Sequence, residues 1–299
     1  MTKPVAVILL NWNAHELTAN CIRSLLKHSD TRLFDIIVAD NGSADGSPDK
    51  LREQFPDLHY IDNNANLGFA GGNNAALRYS IGAGYEFSLI INNDTVAEED
   101  IVTPLVKHLR GHTNVAAVQP LIRFLGQKDK IWNGGSGFND VFGYAYSATG
   151  APEPREVEWV TGCCFLVRNE VLQKTGLFNE GYFLYYEDTD LSFRIREKGY
   201  KLHFLPSATL YHEAGASGKT SSNGEGTLNP LIHYYTSRNR IWFLRQHSQR
   251  RFAPFICGYQ LFYFSSVLFY FILRRRHRKA RQLLRGISDG LFKHVPKAG

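Results

Sequence analysis

Three short polar segments hold residues that could do chemistry if the fold brought them together. Asn92-Asn93-Asp94-Thr95 directly follows the hydrophobic run Phe87–Ile91. A carboxylate at the end of a strand can hold a divalent cation, which in turn bridges the oxygens of a diphosphate. Asn and Asp are also ordinary turn residues. Glu187-Asp188-Thr189-Asp190-Leu191 opens a helix-like run with Leu191 and Ile195 on one face. An acid there often serves only as a cap. The same position favours negative charge, and an ionised Asp188 is what a general base for a hydroxyl requires. His212-Glu213 follows the strand-like Ala208–Tyr211. A lone His is ordinarily structural, but beside a carboxylate a neutral imidazole is also a reasonable second metal ligand. A fourth segment, Asn66-Leu67-Gly68-Phe69-Ala70-Gly71-Gly72-Asn73-Asn74, would let backbone amides come close to a phosphate or ribose. It lacks the G-x-G-x-x-G spacing, so a nicotinamide cofactor gains no support.

The elements that must position these residues alternate along the first hundred positions. Val5–Leu10, Asp35–Ala39, Leu58–Ile61 and Phe87–Ile91 read as buried strands. Between them, Ala14–His28 has helical spacing through Leu17, Cys21, Leu25 and Leu26. A second helix runs from about Asn74 to Ile81, and a third covers about Glu98–Leu109. Such alternation predicts a mostly parallel sheet with helices on both sides, and ligands bind beyond the carboxyl ends of its strands. Asn11–Asn13, Asp40–Asp45 and Asn92–Asp94 fall at those ends. Residues 115–212 read as an α+β extension, with strands at Trp159–Val167 and Lys201–Leu205 and a helix at Asp188–Lys198. Vicinal Cys163-Cys164 reads as core.

The chain has 299 residues, 43% hydrophobic and 21% charged, as expected of a folded core. Its four cysteines show neither metal-ligand nor disulfide spacing, which predicts a reducing compartment. No signal peptide is predicted, because Val5–Leu10 is only strand-sized. The net charge of +6 divides sharply: Arg238 onward carries fourteen Lys or Arg against Asp289 alone, a net +13, and the preceding residues carry −7. Phe252–Leu273 is 22 residues without a charge, nine of them aromatic, with Arg250-Arg251 before it and a basic cluster after. Basic residues at both ends fit a single crossing poorly, and Pro254 and Gly258 are expected to interrupt a straight span. An in-plane or re-entrant anchor, or a pair of amphipathic helices, on an anionic membrane surface fits better. A buried helical hairpin in a homo-oligomer interface is the plainer alternative. Nucleic acid is disfavoured, because the aromatics form a block and do not interleave with the basic residues.

Taken in order, Asn11-Trp12-Asn13, Asp40-Asn41-Gly42-Ser43 with Asp45-Gly46, the Asn66–Asn74 segment, Asn92-Asn93-Asp94, Trp159-Val160-Thr161-Gly162, Glu187–Leu191, His212 with Gly215 and Ser217, and Arg238-Asn239 resemble the family 2 inverting glycosyltransferases of GT-A fold. The bacterial rhamnosyltransferase and galactofuranosyltransferase branch is the most similar. The resemblance runs from Val5 to about Arg240 and departs from the D-x-D pattern only in having Asn92 first. It implies an α/β GT-A catalytic domain with a Rossmann-like nucleotide-binding half over residues 1–237, and a basic, aromatic-rich, membrane-associating helical region over 238–299. It implies that Asp40 contacts the base or ribose, with Asn11, Asn41, Asn66, Gly68, Phe69, Gly72, Asn73, Asn92 and Asn93 completing the nucleotide pocket. Asp94 and His212 would bind Mg²⁺ or Mn²⁺, and Asp188 would be the catalytic base. Trp132, Trp159 and Glu187 would face the acceptor, and Lys219 and Arg238 would assist at the diphosphate. The implied donor is dTDP-rhamnose, then a UDP-sugar. The implied acceptor is a growing, polyprenyl-diphosphate-linked glycan at the cytoplasmic face of the membrane. A non-catalytic nucleotide-sugar-binding scaffold and a sugar nucleotidyltransferase are the alternatives.

Overall fold

The computed structural model describes residues 3–150, 153–213 and 225–296. Lys219, Gly215 and Ser217 lie outside them. Strands β1 (Val5–Asn11), β2 (Phe34–Asp40) and β3 (His59–Asp62) alternate with helices α1 (His15–His28), α2 (Ser47–Gln54) and α3 (Gly68–Gly82), and β4 (Phe87–Asn92) follows. These four strands are parallel, in the order β3-β2-β1-β4. Alternation along β1 supplies both faces of the sheet. Val5, Val7 and Leu9 meet Cys21, Ile22 and Leu25 of α1, while Ala6 and Ile8 pack with Ala70, Ala76 and Leu77 of α3. Leu26 of α1, expected on the buried stripe, is instead exposed, and Thr18 and Ile22 fill that stripe.

The chain continues through β5 (Thr95–Ala97), α4 (Val102–Gly111), β6 (Val115–Phe124), β7 (Gln127–Asn133) and the hairpin β8 (Ser136–Asn139) and β9 (Tyr144–Ser147). Then come β10 (Arg155–Val157), β11 (Cys164–Arg168), α5 (Asn169–Thr175), α6 (Glu187–Glu197) and β12 (Lys201–His212). β11 inserts antiparallel between β4 and β6, and β12 runs parallel to β6. The resulting ten-stranded sheet is mixed, and its longer ladders are parallel. The main sequence expectation therefore holds.

Several boundaries differ for local reasons. Helix α3 begins at Gly68, so Gly68, Phe69, Gly72 and Asn73 occupy its first turns and not a loop; the Asn66 side chain accepts the Gly68 amide at 2.9 Å. Helix α4 begins at Val102, because Thr95–Ala97 pairs with β12 and Asp100 Oδ1 accepts the Val102 and Thr103 amides. Lys201–Leu205 and Ala208–Tyr211 are one strand, with a register shift between Leu205 and Thr209.

Helices α7 (Pro230–His247), α8 (Ala253–Leu273) and α9 (His277–Phe292) complete the molecule. α7 runs straight through the expected domain boundary at 237/238. It packs Trp242, Phe243 and Leu244 with Tyr182, Phe193 of α6 and Ile256 of α8. Pro254 does not interrupt α8: it lies in the first turn, where a proline forfeits no helical hydrogen bond.

Candidate active site

The carboxyl ends of β1 and β2 meet in register, with Asn11 opposite Asp40. Asn11 is fully buried, and its amide donates to Asp40 Oδ1 at 2.8 Å and to the Ser43 and Ser47 hydroxyls. Its own oxygen accepts the Thr18 hydroxyl. Asn11, expected to complete the nucleotide pocket, spends its buried side chain on fixing the Asp40 carboxylate and the Thr18, Ser43 and Ser47 hydroxyls. Among the described residues Asp40 Oδ2 accepts the Ser43 amide alone, and it keeps capacity for another donor. Asn41 ties this end to the next loop, donating to Asn66 Oδ1 and the Gly68 carbonyl and accepting the Leu67 amide. Asn73 is likewise buried and donates to the Phe69 carbonyl one turn back. Gly68 has φ +71°, and a Cβ there would strike the Phe183 carbonyl, so this close approach requires glycine.

Asp94 follows β4 and meets His212 at the end of β12 because β5 pairs with β12, His212 opposite Thr95. Glu213 donates its amide to the Asp94 carbonyl at 2.9 Å, closing the corner. His212 Nε2 lies 3.2 Å from Asp94 Oδ1, and both side chains are buried. Two ligands in adjacent positions of a cation with bonds of about 2.1 Å are separated by roughly 3 Å, so the pair fits one ion. His212 Nδ1 has no hydrogen-bond partner among the described residues. Among those residues no group of three or more metal-ligating side chains occurs. A two-residue site suits an ion that keeps substrate phosphates and waters as its other ligands. Trp132 stacks edge-on against His212, with centroids 4.6 Å apart. A cavity of about 500 Å³ opens beside it, lined by Phe124, Gln127, Lys130, His212 and Glu213.

Asp188 stands in the first turn of α6. Its Oδ2 accepts the Gly162 amide at 2.8 Å, and its Oδ1 accepts the Thr189 amide at 2.6 Å and the Thr189 hydroxyl at 3.1 Å. Burial raises its pKa above the ordinary 3.8, and the Gly162 and Thr189 hydrogen bonds oppose the rise. The helix-end reasoning from sequence missed this: burial is the larger effect. Gly162 lets α3 approach closely, since a Cβ there would lie 3.0 Å from the Phe69 ring. The neighbouring Cys163 carbonyl accepts the Asn92 amide. Two consecutive residues thus join the Asp188 carboxylate to the Asn92–Asp94 corner, and the buried Cys163 thiol is pushed up by burial and by the charges of both Asp94 and Asp188. Glu187 is buried, its pKa raised well above 4.5 by burial and by Asp188, and its Oε2 has no partner among the described residues. Trp159 is half-buried and donates its indole N–H to the Gly137 carbonyl.

A model of glycosyl transferase family 2 matches residues 6–176. The chain belongs to that family. This glycosyltransferase is 29% identical over 215 residues to the N-acetylglucosaminyl-diphospho-decaprenol L-rhamnosyltransferase of Mycobacterium tuberculosis, covering 63% of this chain and 69% of the relative. It is 25% identical over 226 residues to rhamnosyltransferase WbbL of Escherichia coli, 69% of this chain and 83% of that one. Against the dTDP-rhamnosyl transferase RfbF of Shigella flexneri the identity is 22% over 262 residues, 83% and 82% of the two chains. The GT-A expectation is met by fold likeness to two solved glycosyltransferases. One is GalNAc-T7 with UDP, GalNAc and Mn²⁺, with TM-score 0.67, 15% identity and 98% of this chain covered. The present chain spans 58% of its length. The other is a mannosyltransferase of Pyrobaculum calidifontis in complex with GDP-Man and Mn²⁺, with TM-score 0.60, 16% identity and 98% and 89% of the two chains covered.

One expected ligand residue of the glycosyltransferase is spent elsewhere. Arg238 is buried, lies over the Trp242 ring at 4.2 Å, and donates to the Gly181 and Tyr182 carbonyls and to Asn239. Asn239 donates to the Tyr182, Leu184 and Tyr185 carbonyls. Phe183, Tyr185 and Tyr186 between them have positive φ. Arg238 is thus a strut for the strained approach to Asp188 and not a free diphosphate ligand. Thr18, Ser47 and Lys130 border these groups and were not singled out in the sequence. The first two carry only a helix signal, and Lys130 is one exposed lysine among many.

Proposed function

We propose that this glycosyltransferase moves a sugar, rhamnose first, from a nucleoside diphosphate to a hydroxyl of a lipid-linked glycan with inversion at the anomeric carbon. The observation that carries this reading is the junction at Gly162-Cys163, which holds the Asp188 carboxylate and the Asn92–Asp94 corner side by side. Asp188 takes the proton of the acceptor hydroxyl as that oxygen attacks from the face opposite the leaving group. Its hydrogen bonds from Gly162 and Thr189 fix its direction, and its raised proton affinity brings it closer to the working range of a base. Asp94 and His212 would hold Mg²⁺ or Mn²⁺, which would neutralise the charge that grows on the departing diphosphate. Asp40 Oδ2, with Asn41 and Asn66, receives the nucleoside. Protonated Glu187 would donate to an acceptor hydroxyl, with Trp159 nearby as a platform.

Support for rhamnose and for a polyprenyl-diphosphate acceptor comes from the relatives, whose names carry both. Support for a place on the inner face of the membrane comes from α8, the one described helix long and apolar enough to cross a bilayer, and from the basic residues around it. A thermal-shift screen against dTDP-, UDP-, GDP- and CMP-sugars, with and without Mn²⁺, tests the reading. A metal-enhanced rise with one nucleotide class, followed by transfer to a lipid-linked acceptor, is expected. No rise with any donor in folded protein would overturn it, and a rise without transfer to any acceptor would favour the nucleotide-sugar-binding scaffold.

A further inference from the structure

Helix α7 carries two buried arginines, Arg238 and Arg240, and an exposed one, Arg245; Arg238 and Arg245 are spent on backbone carbonyls. Arg238 serves Gly181 and Tyr182, and Arg245 serves Gly290 and Lys293. Arg240 is different. It is 9% exposed, yet its Nε and one terminal nitrogen have no hydrogen-bond acceptor among the described residues. A buried guanidinium left without acceptors costs stability, so such a group in a folded protein points to a missing anion. Its guanidinium carbon lies 4.4 Å from the Tyr263 ring centroid and 5.8 Å from that of Tyr259, both on α8.

Those two tyrosines also begin a groove of about 340 Å³ along α8, continued by Phe262, Ser266, Val267 and Tyr270. The groove opens to solvent and is almost wholly apolar. The charged end and the apolar run therefore share a wall. The same end adjoins the catalytic helix: the buried Tyr186 hydroxyl, just before Asp188, is within electrostatic reach of Arg240, Tyr263, Asp188 and Tyr259. A compact anion at one end, an apolar chain along the other and a base beside the anion describe one kind of molecule. A free nucleotide would leave the groove empty, and a neutral lipid would leave Arg240 unpaired.

We propose that Arg240, Tyr259 and Tyr263 form the subsite for the diphosphate of a lipid-linked acceptor, and that the α8 groove takes the first units of its isoprenoid chain. This rests on the proposed transfer to such an acceptor. The guanidinium meets the diphosphate bidentately, and the tyrosine faces fix its plane. The acceptor sugar then extends from the diphosphate toward Asp188.

The probe is farnesyl diphosphate, titrated calorimetrically into the full chain in detergent with EDTA, so that cation-dependent binding at Asp94 and His212 does not contribute. Arg240→Gln should weaken binding at least about tenfold, the loss expected for charge-assisted hydrogen bonds, while Arg240→Lys keeps part of it. Ser266→Trp, on the exposed wall, should weaken farnesyl diphosphate and leave inorganic pyrophosphate unchanged. Equal affinity of wild type and Arg240→Gln, both with the same melting temperature, would overturn the proposal. So would an indifferent Ser266→Trp, or loss of the farnesyl diphosphate binding heat after saturation with detergent-solubilised phosphatidylglycerol, which would mark a general phospholipid site. Turnover of nucleotide sugar by the wild type is measured separately. Arg240-dependent binding without turnover would sink the glycosyltransferase reading and leave the subsite standing. Turnover with Arg240-independent binding would do the reverse.

Discussion

Asp188 combines a buried carboxyl with donors from Gly162 and Thr189, and its chemistry follows from that balance. Asp188→Asn keeps the shape and the donor pocket but cannot take a proton. It should retain nucleotide-sugar binding by thermal shift while transfer falls at least about a thousandfold, some 4 kcal/mol of barrier; near-normal turnover would remove Asp188 from the role. As the proposed base, Asp188 must be ionised for the enzyme to work, and its raised pKa puts that ionisation at higher pH than in an ordinary Asp. The acid limb of the kcat/KM profile should therefore fall as pH drops through that raised value, at higher pH than an exposed Asp would give. Burial and the neighbouring Asp188 push the Glu187 pKa well above the usual 4.5, which favours its neutral form. Glu187→Gln, neutral and of the same shape, should leave acceptor KM within a few-fold, whereas Glu187→Ala should raise it on the order of tenfold by removing a hydrogen-bond donor. If the two variants behave alike, Glu187 does not contact the acceptor.

Elements, more than single residues, bring these groups together, and here sequence and structure part company in an instructive way. Strand ends were legible, because continuous apolar runs close on Asn11, Asp40 and Asn92, and a parallel sheet puts its ligands there. The convergence of Asp94 with His212 was suggested by residue type and by resemblance but not by any strand pattern, since it depends on the three-residue pairing of β5 with β12. Arg238-Asn239 was read as part of the site for its charge. Its work is mechanical, and no local pattern reveals that five backbone carbonyl contacts await it 54 to 57 residues upstream in the positive-φ segment before α6. Asn239→Ala would strip donors from buried carbonyls and should cost about 1–3 kcal/mol in denaturant unfolding. A second clasp joins the same helices: His247 of α7 bonds Asp190 and Glu197 of α6 at 2.9 Å each. Burial lowers the His247 pKa, but these two carboxylates outweigh it and the net shift is upward. A raised folded-state pKa stabilises below the unfolded value near 6.5, and that contribution disappears as pH rises through the folded value. Unfolding at pH 6 and pH 9 should show a decline that His247→Gln flattens.

At the scale of the molecule, charge and apolar surface are sorted to one end. The segment from Arg238 onward carries +13 against −7 for the rest. α8 buries only Ile256, Gln260, Phe264 and Phe271, so its remaining face is apolar and uncovered: Leu261, Phe269 and Leu273 are 71%, 67% and 68% exposed. α9 closes over α7, where Gly286 and Gly290 permit contact with Tyr234 and Ile241, and Arg274, Arg275 and Arg276 directly follow the apolar helix α8. A water-exposed patch of this kind calls for a cover, and flanking arginines match an anionic surface at about 1 kcal/mol each. The full chain should therefore sediment with phosphatidylglycerol vesicles. Salt should weaken the binding without abolishing it, because burial of the aromatic face is insensitive to screening. Leu261→Ser, Phe269→Ser and Leu273→Ser together should release the protein at any salt concentration. Their surface positions leave folding intact, which circular dichroism checks. If the triple variant still sediments but changes from dimer to monomer on gel filtration, the cover is a second copy of the chain and the membrane assignment fails.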